Sequence, residues 1–297
     1  MTTIAETVES FIKARRADGR APRTIEDYYR VLTPFAAWCR EQGLMLETLS
    51  RNKVREYVAS LRERDWAEST VAIHIRNLRS FLRWLQEEKL VEDGLSQAIK
   101  APRRTTREEE PLLPEEIRAL IEVCQDGSNS GRRDLALILC FLDTGLRLGE
   151  MALLRRSSVH FGDDGTAWIQ VYAPKTRSYR LAFLGRKAAS ALSDYLSCRQ
   201  DSDDTLWLRE SGRPLDTHGI YKIVKRRAAQ AGVDRLHPHL FRKSFATLWL
   251  DNGGDIERLR VIAGWRSLDM IPVYVCSAIQ QLEQAHRRAG PVDRLLG

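Results

Sequence analysis

TAWIQVYAPKTRSYRLAFL, residues 166–184, is the stretch of this 297-residue chain that reads as β structure. Two runs rich in β-branched and aromatic residues flank a Pro-Lys-Thr-Arg turn, a pattern that predicts a hairpin. Lys175 falls at or near the hairpin tip, displayed rather than packed. Almost everything outside this stretch follows helical periodicity, so the expected fold class is mainly α with one small antiparallel sheet.

Ahead of the hairpin, the periodicity predicts four amphipathic helices over 3–17, 23–42, 50–64 and 68–88. Pro22 opens the second, Ser50 is placed to cap the third, and Ser69 or Thr70 lies near the start of the fourth. Val71, Ile75, Leu78, Leu82 and Leu85 make the apolar stripe of the fourth helix, with Arg76, Arg79 and Arg83 between them on a solvated face. Together these helices predict a small helical domain over 1–100. Residues 101–114, APRRTTREEEPLLP, carry prolines at both ends, a basic-to-acidic switch and no apolar period, which reads as an interdomain linker. The second domain is then 115–297. Within it, residues 133–142 are apolar nearly all round and predict a buried central helix ending at Thr144-Gly145. Arg147 opens the next helix, 147–155, and a further helix begins near Pro238.

With 43% hydrophobic and 29% charged residues, the chain has the composition of a globular protein with real cores. Its first twenty residues are polar, and no apolar run approaches the ~18 residues a membrane span requires. A cytoplasmic or nucleoid protein is therefore expected. The five cysteines, Cys39, Cys124, Cys140, Cys198 and Cys276, form no CxxC pair, so reduced thiols rather than disulfides or a zinc ribbon are expected. Lys and Arg number 47 against 40 Asp and Glu, a net charge of +7. The excess is concentrated in residues 213–243, where eight basic residues face two acids, Asp216 and Asp234. Such a stripe suits a polyanionic partner.

Several site classes are excluded first. No P-loop or GxGxxG opens a helix after a strand, so a nucleotide cofactor is not expected. His237 and His239 lie two apart with no HExxH and no paired carboxylates, so no metal is expected, and no GxSxG marks a nucleophile elbow. What remains is dispersed. TGLRLGE (144–150) puts Arg147 after a glycine turn, near a helix N-terminus whose backbone N–H groups favour an anion. HPHLFRKSFATLWL (237–250) sets His239 and Arg242 three apart on one helical face. AGWRSLDMIPVYV (263–275) puts Trp265 after a glycine and Tyr274 nine residues later. Taken singly, each of these side chains reads equally well as surface charge or core.

In this order and spacing the six residues Arg147, Lys175, His239, Arg242, Trp265 and Tyr274 resemble the tyrosine recombinase (phage integrase) family over essentially the whole chain. The short members, Xer-like recombinases and simple phage integrases, are the most similar in length. The resemblance implies a four-helix core-binding domain and a mainly α catalytic domain closing round duplex DNA as a clamp. It implies metal-independent cleavage and rejoining at specific DNA sites through a 3′-phosphotyrosyl intermediate, without ATP. It implies a homotetramer on two paired sites, with an accessory or directionality protein as a further partner. Arg147 and Arg242 would hold the scissile phosphate, Tyr274 attack it, and Lys175 protonate the leaving 5′-oxygen. Arg177 and Arg180 compete with Lys175 on the same hairpin. His239 would accept a proton or bond the phosphate, Trp265 donate its indole N–H, and Glu150 orient its neighbours. Two local departures from the commonest family pattern stand out: Phe241-Arg242-Lys243 replaces Leu-Arg-His, and Ala263-Gly264-Trp265 replaces Leu-Gly-His. Ile271 replaces a common Thr, and Pro272 lies two before Tyr274. A DNA-relaxing topoisomerase of the same chemistry, or a DNA-binding regulator that has lost catalysis, are the competing readings. Beyond Tyr274, Ile279, Leu282 and Ala285 recur at helical spacing in 277–288, a tail expected to dock on a neighbouring protomer.

Overall fold

The computed structural model describes residues 3–100, 109–174 and 178–265. The chain divides into two compact units, 1–106 and 107–297.

The first unit is helical. α1 (Ile4–Ala17) starts with a reciprocal cap, in which the Thr3 hydroxyl accepts from the Glu6 N–H and the Glu6 carboxylate accepts from the Thr3 N–H. α2 (Pro22–Glu41) opens on its proline, whose missing N–H costs nothing in the first turn. α3 (Arg51–Arg62) is capped by Ser50 as expected. α4 (Glu68–Glu87) follows Ala67, which makes no side-chain cap; Ser69 and Thr70 fall inside its first turn. The core is aromatic, with Phe11 edge-on to Tyr28 and Phe81, and Phe35 edge-on to Tyr57. Arg76 and Arg83 stay on the exposed face of α4.

The second unit begins earlier than a linker ending at residue 114 would suggest. Leu112 is buried in its core, and its N–H donates to Ser244 Oγ at 2.8 Å. Arg235 donates to the carbonyls of Glu110 and Pro111. Residues 109–113 are thus docked before α5 (Pro114–Glu122) starts. α6 (Asn129–Thr144) is the central helix, four residues longer at its N-terminal end than the apolar run predicts because Ser128 caps a polar first turn. α7 (Leu148–Ala152) is shorter than expected. The Leu154 carbonyl accepts from Leu206 N–H and the Arg156 N–H donates to the Asp204 carbonyl, so a neighbouring loop takes the bonds that would extend the helix.

The hairpin forms as predicted, with β2 (Ala167–Ala173) and β3 (Ser178–Leu184) paired from Ala167↔Leu184 to Ala173↔Ser178. A third strand, β1 (Val159–Phe161), pairs antiparallel with β2 and was too short to leave a periodic signal. The inner face, Ala167, Ile169, Val171, Ala182 and Leu184, is buried. Among the described residues, α8 (Arg186–Ser197), α9 (Thr217–Gln230), α10 (Pro238–Asp251) and the shorter α11 (Ile256–Ala263) follow.

One polar cluster lies within this core. Asp134 on α6 is fully buried and accepts from Arg133 Nε and Nη2, Arg226 Nη2 and Arg227 Nε, at 2.6–2.9 Å. Arg227 also donates to the Val123 carbonyl and to Asp126, which joins α9 to the end of α5. Buried charge is tolerable only when so fully paired.

Candidate active site

Arg147 owes its position to a glycine. Gly145 ends α6 in the left-handed region, φ +58°, and a Cβ there would lie 2.4 Å from the Phe245 ring, so both backbone and packing require glycine. The chain reverses and Arg147 becomes the N-cap of α7. Its N–H donates to Glu150 Oε2 at 2.9 Å, and its Nη1 donates to Glu150 Oε1 at 3.0 Å. The Arg147 side chain remains 48% exposed, whereas that of Glu150 is 4% exposed. Burial pushes the Glu150 carboxyl up, but the Arg147 N–H and the adjacent Arg180 guanidinium outweigh it, leaving the pKa below the ordinary carboxylate value. Glu150 is therefore an anionic strut under Arg147.

Arg242 comes from α10, nearly a hundred residues later. It is 2% exposed, and its two terminal nitrogens donate to the Gly145 carbonyl at 2.8 Å and the Ala263 carbonyl at 2.7 Å. It thereby links the turn before Arg147 to the C-terminal end of α11, where a cation suits the helix dipole. Trp265 follows Gly264, the left-handed cap of α11, and packs with Phe245, Ala246, Leu259 and Ala263. Its ring centroid is 5.5 Å from the Arg242 guanidinium carbon.

His239 sits in the first turn of α10, one turn before Arg242, with Pro238 at the first helical position. The residue is exposed by surface, yet the walls around the ring remove enough water to lower the imidazole pKa, and the charge on Arg242 lowers it further. A neutral ring able to accept a proton results. His237 occupies the N-cap position without a side-chain cap, and its Nε2 lies 3.0 Å from Glu109 Oε2.

Arg147, His239 and Arg242 line a single cavity of about 650 Å³, together with Tyr221 and Lys225 of α9 and the α7 start. Lys225 was visible in the sequence only as part of the basic stripe. Its ammonium donates to the Asp234 and Leu236 carbonyls, and so secures the loop leading into α10. Arg180, one of the two competitors for Lys175, is committed elsewhere: Nη2 donates to Glu150 Oε2 at 2.9 Å and Nε to the Ile262 carbonyl at 3.0 Å. The signal for this was its register, because Arg180 pairs with buried Val171 and so points to the inner face. Lys175, Arg177, Tyr274, Cys276 and the tail 277–288 lie outside the described residues. Among the described residues, no group of three or more His, Cys, Asp or Glu could hold a metal, and no helix is long and apolar enough to cross a membrane.

Two guanidinium groups, a neutral imidazole and an ammonium in one cavity are chemically able to bind an anion such as a phosphate and to stabilise charge on its oxygens. Residues 110–281 match the phage integrase family, and residues 8–92 match the phage integrase N-terminal SAM-like domain. The chain is 26% identical over 284 residues to tyrosine recombinase XerD of Halalkalibacterium halodurans, covering 92% of this chain and 94% of that one. It is 28% identical over 295 residues to tyrosine recombinase XerC of Oceanobacillus iheyensis, covering 96% and 95%. Its fold is similar to XerH site-specific recombinase bound to palindromic difH substrate in a post-cleavage complex, with TM-score 0.75, 21% identity and coverage of 96% and 84%. It is also similar to a lambda integrase(75-356) dimer bound to a COC′ core site, with TM-score 0.73, 16% identity and coverage of 92% and 95%.

Proposed function

We propose a residue-level mechanism for this chain, which belongs to the phage integrase family and is an Xer-like tyrosine recombinase, a site-specific DNA strand transferase. Arg147 and Arg242 each present N–H pairs to the non-bridging oxygens of the scissile phosphate. Arginine suits this better than lysine because its planar fork bonds two oxygens at once. The Tyr274 oxygen attacks phosphorus, a bond forms between them, and the bond from phosphorus to the 5′-oxygen breaks. His239 takes or shares the tyrosine proton, and Lys175 gives a proton to the departing 5′-oxygen. The indole N–H of Trp265 supports the phosphate, and Glu150 holds Arg147 in place. The phosphotyrosyl linkage conserves the energy of the broken diester, so a 5′-hydroxyl from another strand can reverse the step without ATP.

The observation that carries this reading is the entry of Arg147, His239 and Arg242 into one cavity from segments far apart in sequence. The first unit is proposed as the core-binding domain, supported by the exposed Arg76 and Arg83 on α4. Double-stranded recombination sites are the proposed partner, with four copies of the chain assembling on two sites and the 277–297 tail joining neighbours.

The test is a nicked suicide substrate carrying the recombination site. The wild type forms a protein–DNA adduct stable to SDS, whereas Tyr274→Phe binds the site and forms none. An adduct surviving in Tyr274→Phe would place the nucleophile elsewhere. Binding without cleavage by the wild type would favour a regulator.

A further inference from the structure

We infer that Arg180 is a positioning residue for recombination, fixing the carboxylate that orients Arg147 and the helix end that carries Trp265. The inference rests on the phosphate-binding reading of Arg147.

Arg180 shares the inner face of β3 with Ala182 and Leu184, both buried, and pairs across the sheet with buried Val171. The sheet alone would be satisfied there by an apolar side chain, and an arginine must have its charge matched to be tolerated. Its side chain is 13% exposed. The match is made by two segments distant in sequence: Glu150 of α7 at 2.9 Å and the Ile262 carbonyl near the end of α11 at 3.0 Å. The next carbonyl, Ala263, is taken by Arg242. Two arginines thus hold consecutive carbonyls of the helix that delivers Trp265. Gly264 permits the approach, since a Cβ there would stand 3.0 Å from Arg180 Nε on a backbone with φ +64°.

Glu150 divides its oxygens between the two arginines. Oε1 accepts from Arg147 Nη1, while Oε2 accepts from both the Arg147 N–H and Arg180 Nη2. Without Arg180, Oε2 keeps only the Arg147 N–H as a donor, and the carboxylate under the Arg147 guanidinium is held less rigidly. The same residue lies on the hairpin whose turn contains Lys175, so it ties that hairpin to the α7 and α11 ends of the site.

The test uses the full chain with Arg180→Gln, Arg180→Lys, Glu150→Gln and the Glu150→Gln/Arg180→Gln double variant. Cleavage rate is read on the suicide substrate and affinity by gel shift. Arg180→Gln should bind within about threefold of wild type and cleave on the order of 10–100-fold more slowly. Arg180→Lys, which keeps the charge and one donor direction, should recover most of that loss. The double variant should lose clearly less than the two single losses combined, because the two residues share the Arg180–Glu150 contact. Wild-type cleavage by Arg180→Gln, additive losses in the double variant, or a lysine variant as slow as glutamine would each overturn the inference. Arg147→Ala run alongside keeps the two readings apart. Undiminished cleavage by that variant would remove the phosphate-binding assignment itself, whatever Arg180 does.

Discussion

The Arg242 guanidinium lies 2.7 Å from the carbonyl oxygen of Ala263, so the second arginine of the site is anchored by the helix end immediately before Trp265. Its other terminal nitrogen reaches the Gly145 carbonyl, two residues before Arg147. Arg242 is therefore both a phosphate ligand in the proposed mechanism and the tie that keeps Arg147 and Trp265 in one place.

Chemistry and binding should separate at the two arginines. Arg147→Ala and Arg242→Lys should each lower the cleavage rate on the order of 10²–10³-fold or more, because the charge they meet grows in the transition state. Site affinity should stay within about tenfold, since many phosphate contacts share the electrostatic attraction. Single-turnover cleavage and gel shifts on the same DNA measure both. Arg242→Lys should also lower thermal stability, because a single ammonium nitrogen cannot occupy the two positions from which Nη1 and Nη2 reach the Gly145 and Ala263 carbonyls.

The proton donor is separable by the leaving group. Lys175→Ala should cleave slowly on an ordinary diester and recover on a 5′-bridging phosphorothiolate, whose thiolate departs without protonation. Recovery by Arg177→Ala and not by Lys175→Ala would transfer the role to Arg177. Arg180 donates from Nη2 to Glu150 and from Nε to the Ile262 carbonyl, and its side chain is 13% exposed, so it is held away from the leaving group.

Acid should switch the site off through His239. Its pKa is lowered, first by desolvation and then by Arg242, so the ring is neutral at pH 7 and gains a proton only below the ordinary histidine value of about 6.5. The cleavage rate should therefore be level from pH 7 to 8 and fall as pH drops through a midpoint under about 6.5. His239→Gln should be slow at all pH values and lack that fall. A wild-type midpoint above 6.5 would contradict the assignment. The same sign holds for folding: the native state binds fewer protons at this ring than the unfolded chain, so its contribution weakens as pH decreases.

Stability should depend on Asp134, far from the chemistry. Asp134→Asn leaves Arg133 and Arg227, 6% and 4% exposed, without their full negative partner. Breaking a buried pair in this way costs about 3–5 kcal/mol. Urea unfolding should show that loss in the catalytic unit, with the wild-type m-value retained.

Both the hairpin and the helical background were legible in the sequence because period 2 and period 3.6 are local properties. Gly145 announced the end of α6, and the turn it makes does deliver Arg147 to the start of α7. The spacing of His239 and Arg242 places them one helical turn apart, as found. What escaped was non-local. β1 has three residues and no period, α7 is cut short by bonds to a loop fifty residues away, and residues 109–113 look like linker until Ser244 takes up the Leu112 N–H.

Arg180 draws the boundary between the two kinds of information. The sequence by itself determined which residue types the chain would carry, which segments would be helices, and the order of the family's reactive positions. That order is a linear property. Only the tertiary structure decided that Arg180 belongs to Glu150 and Ile262 rather than to a leaving group, and that Arg242 grips the turn before Arg147. Those assignments depend on which distant segments share a few ångströms of space, and hydrogen bonds act only over such distances.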